Sequence, residues 1–197
     1  MPPALSSICV YCASSPGVDP GFAASAASLG QLLARRGVQL VYGGGHVGLM
    51  GVVADAALAE GGEVHGVITR ALETKEIAHR GLTTLQVMET MHDRKAAMAD
   101  MADAFIMLPG GFGTLEEFLE VVTWTQLGVH TKPCGVLNVR GFFDPLVALF
   151  ETATQERFVR NEHRDMVIIE SDAATMLDRL SSWTPVTIDK WLDRSER

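Results

Sequence analysis

The sequence is short of cysteine, short of positive charge and without a long apolar run, and each shortage excludes something. Its cysteines are Cys9, Cys12 and Cys134. Three thiols placed so unevenly make neither a disulfide framework nor a four-ligand zinc site. Cys9 and Cys12 do form a C-x-x-C, but a redox pair of that kind belongs at a helix N-terminus. These two lie in the apolar run 8–12, where strand alternation points them to opposite faces. They read as buried strand thiols.

Lysine and arginine number 16 against 24 acidic residues, a net charge of −8 with a pI near 5.2. That balance argues against a nucleic-acid backbone as partner; a small phosphorylated molecule needs only a few local donors. No apolar stretch approaches the roughly 18 residues that would span a bilayer, and the opening Met-Pro-Pro-Ala-Leu-Ser-Ser has no basic region ahead of an apolar one. The expectation is a cytoplasmic protein with no membrane partner. The six histidines show no metal-ligand spacing. There is no G-x-S-x-G elbow, no Walker lysine, no internal repeat and no linker. The 197 residues suit one domain over 1–197.

What is present is alternation. Apolar runs at 6–13, 38–42, 63–69, 84–88, 104–108, 134–139 and 166–170 read as strands, and helical patterns fall between them at 22–36, after 51, and at 91–101, 114–127, 145–158 and 172–180. Strands and helices taken in turn mean βαβ units and a mostly parallel sheet. Thr90 and Asp93 stand at capping-box spacing, which supports a helix start there. In such a sheet ligands bind beyond the carboxyl ends of the strands, so loops 14–17, 43–51 and 109–114 are expected along one edge.

Two of these loops are glycine-rich. Gly43-Gly44-Gly45-His46-Val47-Gly48 matches the dinucleotide pattern G-x-G-x-x-G, but Glu63, 20 positions on, stands before the next strand instead of ending it. A close approach of the Gly44–Gly45 backbone to a ribose or phosphate fits better than a dinucleotide. Leu108-Pro109-Gly110-Gly111-Phe112-Gly113-Thr114-Leu115-Glu116-Glu117 is more specific. A strand, a glycine turn and a helix N-terminus together present backbone N–H groups to a phosphate, with Thr114 adding a hydroxyl or serving as the helix cap.

On a helical wheel Leu115, Phe118, Leu119 and Val122 form the core stripe of this helix. Glu117 then lies roughly opposite, between Val121 and Trp124, a second apolar patch that suggests a surface for another copy of the chain. On the preceding helix Arg94 stands between Met91 and Met98, while Lys95 reads as exposed.

Met91-His92-Asp93-Arg94-Lys95 followed by Pro109-Gly110-Gly111-Phe112-Gly113-Thr114-Leu115-Glu116-Glu117 resembles the paired signature M-H-x-R-K and P-G-G-x-G-T-x-x-E of the Lonely Guy family. That family comprises cytokinin riboside 5′-monophosphate phosphoribohydrolases, often mislabelled lysine decarboxylases. The resemblance runs from Ser14-Ser15-Pro16 to about Val139. It implies a Rossmann-like, three-layer α/β/α fold, a homodimer with sites near the subunit boundary, no cofactor, and hydrolysis of the N-glycosidic bond of an N6-modified adenosine monophosphate. By the same resemblance Arg94 and Glu117 are the catalytic pair. Glu76, Arg94, Lys95, Gly111, Phe112, Gly113, Thr114, Leu115, Glu116, Glu117 and Thr123 fall at substrate-contact positions, with Ser15, Gly44 and Gly45 on the neighbouring loops. A nucleotide-binding carrier using the same cradle without turnover is the second reading, and the joint presence of Arg94 and Glu117 weighs against it.

Overall fold

The computed structural model describes residues 5–73 and 78–185. Strands and helices alternate through β1 (Ser7–Tyr11), α1 (Pro20–Arg35), β2 (Gln39–Tyr42), α2 (Gly48–Ala59), β3 (Val64–Thr69), the short α3 (Arg70–Glu73) and β4 (Thr84–Met88). They continue through α4 (Met91–Met101), β5 (Ala104–Met107), α5 (Phe112–Leu127), β6 (Cys134–Leu137), a 3-10 turn (Val139–Gly141), α6 (Asp144–Gln155), the one-turn α7 (Asn161–Arg164), β7 (Val167–Glu170) and α8 (Ala173–Ser182). The seven strands form one sheet in the order β4-β3-β2-β1-β5-β6-β7. Each neighbouring pair is parallel, so the sheet is parallel throughout the described residues.

Strand alternation sorts the core into two halves. Ile8, Val10 and Cys12 face one side with Leu29 and Leu33 of α1, Val53 of α2 and Leu177 of α8. Cys9, Tyr11, Phe105 and Met107 face the other with Met98 of α4 and Phe118 and Val121 of α5. Helices therefore cover both faces, the three-layer α/β/α arrangement of a Rossmann-like fold, and Cys9 and Cys12 do lie on opposite sides. No helix among the described residues is long and apolar enough to cross a membrane.

Local chemistry fixes the helix starts. Asp19 caps α1 by accepting the Gly21 N–H at 2.8 Å. Thr90 caps α4 by accepting the Asp93 N–H at 3.1 Å, while its hydroxyl donates to the Asp93 carboxylate at 2.7 Å. Both partners of the expected capping pair are thus used. At its far end α5 stops on Gly128, whose φ of 73° turns the chain out of the helix.

The strand order reverses beside β1, where sequence neighbours run one way to β2 and the other side is taken by β5. That switch point is where a crevice opens in such sheets. The loops that line it are tied together. The Ala13 N–H donates to the Pro109 carbonyl and the Met50 N–H to the Ala13 carbonyl, both at 3.2 Å. Gly48, at φ +60°, packs so closely on the first loop that a Cβ there would lie 2.2 Å from the Ser14 carbonyl carbon.

Candidate active site

The site is built on two helices, α4 and α5, where Arg94 in the first turn of α4 meets Glu117 in the second turn of α5 and reaches Val67 of β3 and Gly43 just after β2. Arg94, on the first turn of α4, lies almost wholly under protein, its side chain 7% exposed. Its Nε donates to the Val67 carbonyl at 2.8 Å, its Nη2 to the Gly43 carbonyl at 3.4 Å, and its Nη1 to Glu117 Oε1 at 2.5 Å. Nη1 also lies 3.4 Å from Met91 Sδ. Gly43 makes room for this: a Cβ there would stand 2.2 Å from Arg94 Nη2. Two backbone carbonyls and one carboxylate thus aim the guanidinium and leave it little freedom.

Glu117 is 14% exposed. Burial pushes its carboxyl above the ordinary range, and Arg94, by charge and by hydrogen bond, pulls it back. The result is a carboxylate held next to a cation with little water around it, suited to taking a proton or to facing a developing positive charge.

This placement corrects the wheel read from sequence. The buried positions of α5 are Thr114, Phe118, Val121 and Thr125, so Val121 belongs to the core and Glu117 points inward beside it. Trp124 is half-buried against the same cluster, so Val121 and Trp124 form no outer patch. Periodicity counts a carboxylate as a solvent-facing residue; here the buried cation turns the helix the other way. Leu119 is left outward instead.

Lys95 is also corrected, from exposed to buried. Its side chain is 7% exposed, and Nζ donates to Glu116 Oε1 at 2.5 Å and to Glu120 Oε1 at 3.1 Å. Burial pulls the ammonium down, and the two carboxylates more than offset this and hold it above its ordinary value. Glu120 was not singled out from sequence; the available signal was its i+4 relation to Glu116, with one lysine able to reach both.

The N-terminus of α5 starts at Phe112 with Gly111 as its cap residue, two residues ahead of Thr114. Thr114 is therefore not the cap. It is buried, and its Oγ1 would meet a Cβ on Gly110 at 2.1 Å, so its hydroxyl packs back on the turn. The first intrahelical bond runs from the Leu115 N–H to the Gly111 carbonyl at 3.1 Å. The N–H groups of Phe112, Gly113 and Thr114 precede it and point out of the helix end. A Cβ at Gly111 or at Gly113 would meet nothing within 4 Å. These glycines relieve no crowding within the chain; they keep clear the space in front of the free N–H groups, as an anion cradle requires.

Of the other positions, Ser15 is exposed at the crevice, with its hydroxyl accepting the Gly17 N–H at 3.4 Å. Phe112 is 94% exposed, Leu115 half-buried, and Thr123 exposed with its hydroxyl turned back to the Leu119 carbonyl at 2.7 Å. Gly44 and Gly45 are not at an open edge. They are buried under a segment that returns over the loop, the His79 N–H donating to the Gly44 carbonyl at 3.0 Å and Ala78 bridging Gly45. Glu76 lies outside the described residues.

A family profile described as "Possible lysine decarboxylase" matches residues 50–180. The cytokinin riboside 5′-monophosphate phosphoribohydrolase LOG of Oryza sativa subsp. japonica is 45% identical over 178 residues, 90% of this chain and 74% of that protein. The phosphoribohydrolase LOG2 of Arabidopsis thaliana is 44% identical over 178 residues, 90% of this chain and 84% of its own length. The chain belongs to the Lonely Guy family. Among solved structures, the molybdenum cofactor binding protein of the phototrophic bacterium Rippkaea orientalis matches with a TM-score of 0.66 at 23% identity, over 89% of this chain and 95% of that one, a likeness of fold alone.

The word decarboxylase in the profile's description finds no support in this member of the Lonely Guy family. Among the described residues no lysine stands in a recognisable pyridoxal-phosphate context, and Lys95 is committed to two carboxylates. A second cluster lies beside the glycine loop, where the ligand atoms of His46, Asp55 and His79 come within 4.8 Å of one another. The Gly81 N–H donates to His79 Nδ1 at 3.1 Å, so the neutral ring carries its proton on Nε2, 2.9 Å from Asp55 Oδ1. A cation on Nε2 would have to displace that proton and leave Nδ1 with the wrong tautomer for Gly81. The donor set fits a latch between α2 and segment 78–81 better than a metal centre.

Proposed function

We propose that this chain hydrolyses the N-glycosidic bond of N6-modified adenosine 5′-monophosphates, releasing the free base and ribose 5-phosphate, with Glu117 and Arg94 acting at the bond. The observation that carries the site assignment is the buried Arg94–Glu117 pair, at 2.5 Å, one helical turn behind an unobstructed N–H cradle. The reaction follows from the names of the relatives in rice and Arabidopsis.

The cradle takes the 5′-phosphate on the N–H groups of Phe112, Gly113 and Thr114, where the helix end adds partial positive charge. That remote contact aligns the ribose on Glu117. As the bond from C1′ to the base nitrogen breaks, positive charge develops on the ribose, and the carboxylate stabilises it. Water adds to C1′ and gives up a proton to Glu117; the departing base nitrogen takes a proton from solvent, and Glu117 returns its proton to solvent, so one water is consumed overall. Arg94 holds Glu117 ionised and fixes its direction against the Val67 and Gly43 carbonyls. Because burial raises the Glu117 carboxyl, activity falls as pH drops through an ionisation above the ordinary glutamate value.

A homodimer in the cytoplasm completes the proposal. Phe112 and Leu119, two turns apart on α5, are exposed large apolar side chains, while Leu115 between them packs on the core. A second copy covering the two exposed side chains would bring a subunit boundary beside the cradle.

The test is Glu117→Gln assayed with AMP and N6-isopentenyl-AMP. Base release drops by about 10³-fold or more while nucleotide binding stays within a few-fold of the parent. Equal loss of binding and turnover favours the carrier reading, and full turnover in the variant removes Glu117 from the chemistry.

A further inference from the structure

Lys95 sits one residue after Arg94, and Glu116 one residue before Glu117. The two adjacent pairs zip the start of α4 onto the second and third turns of α5: Arg94 to Glu117, and Lys95 to Glu116 and Glu120. The Lys95 ammonium is buried with two carboxylate partners at 2.5 and 3.0 Å, whereas Glu116 is itself more than half exposed. Two of the three N–H donors of this lysine are taken by these carboxylates, which leaves at most one for a substrate at the contact position that the family resemblance gives it. Its charge lies where three glutamates of one helix face another.

We propose that Lys95 is a positioning residue for the reaction, a buried counter-charge that neutralises Glu116 and Glu120 and fixes the register of α5 on α4 so that Glu117 stays ionised against Arg94. This rests on Glu117 being the reacting carboxylate. Around that carboxylate stand Arg94 and Lys95 from α4, Glu116 on its own helix, and Cys9, Tyr11 and Cys12 at the end of β1. Burial holds the two thiols and the phenol in their neutral forms. The charges that act on Glu117 are thus two cations and one anion. Arg94 and Lys95 favour its ionised form and Glu116 opposes it, the strongest influence being burial itself. Without Lys95 one cation is gone and Glu116 is left uncompensated, so both changes push the Glu117 carboxyl upward.

The experiment is a pH–rate profile of the whole protein for Lys95→Met and Lys95→Arg, with Glu117→Gln as control and the fold of each checked by circular dichroism. Lys95→Met lowers kcat about tenfold, leaves KM within twofold, and moves the acid limb of kcat up by about half a pH unit, a threefold rate difference on the limb. Lys95→Arg restores the charge and returns the limb to its parent position. If Lys95→Met raises KM while kcat and the limb stay put, Lys95 touches substrate directly and the proposal falls. An unmoved limb with lowered kcat reduces Lys95 to a packing role and also overturns it. Should Lys95→Met not fold, Lys95→Gln, which keeps a donor without the charge, is read by the same limb and the same criteria. A Glu117→Gln variant that retains activity would sink the assignment of Glu117 itself, an outcome distinct from an unmoved limb in Lys95→Met.

Discussion

Removing the guanidinium of Arg94 is the most informative single change to the fold. Arg94→Met keeps a long apolar stem but takes away the donors to Val67, Gly43 and Glu117. Because both members of the ion pair are largely buried, the cost is that of stranding a charge in a dry place, about 3–5 kcal/mol at pH 7. For a domain of this size that is about 6–20 °C in Tm. The deficit also depends on pH, and its sign is fixed. With Arg94 gone, burial acts on Glu117 with its main opponent removed, so the folded-state ionisation rises further above that of the unfolded chain. Between the two values the folded state holds a proton that the unfolded state does not, and stability falls as pH rises. Urea denaturation at pH 5 and pH 7 therefore shows a smaller deficit at pH 5. Adding Glu117→Leu to Arg94→Met removes the stranded charge and recovers most of the loss. A deficit below about 1 kcal/mol, the level of an exposed pair, or one that is the same at both pH values, refutes the account of a buried coupled pair.

Further outcomes follow from the same geometry. Gly113→Val places its side chain in open space, so stability stays within about 0.5 kcal/mol while KM for the nucleotide rises at least about tenfold; an unchanged KM would remove the phosphate from the α5 cradle. Burial raises the thiols of Cys9 and Cys12 and pushes Cys134 up to about 12. The native protein should then show no thiol reacting with a disulfide reagent within minutes at pH 8, and the unfolded chain three; one fast native thiol would contradict their enclosure.

Much of the architecture is legible in the sequence. The strand at Thr84–Met88 and the helix at Met91–Met101 match residue for residue, and the Thr90–Asp93 capping pair marks the boundary between them. The Arg94–Glu117 partnership was legible as well, though only through the spacing of two motifs and the family they resemble. The rotation of α5 was not. Leu115, Phe118, Leu119 and Val122 make as good an apolar stripe as the one observed, and the choice is made by a buried cation on another helix, which periodicity in a single segment cannot register. Lys95 was misread for the same reason: its two partners lie more than 20 residues away and come into reach only when α4 and α5 pack side by side.

The bracing of the crevice loops has a consequence for how the chain can vary. Loops usually absorb insertions at little cost. Here the loop after β1 is bonded to the loop after β5 through Ala13 and Pro109, to α2 through Met50, and is pressed by Gly48. One extra residue in any of them would shift the others, and with them the Gly43 carbonyl on which Arg94 rests. Length changes should therefore accumulate at the opposite end of the sheet, where the helices run back into the strands, and grafted segments should be placed there.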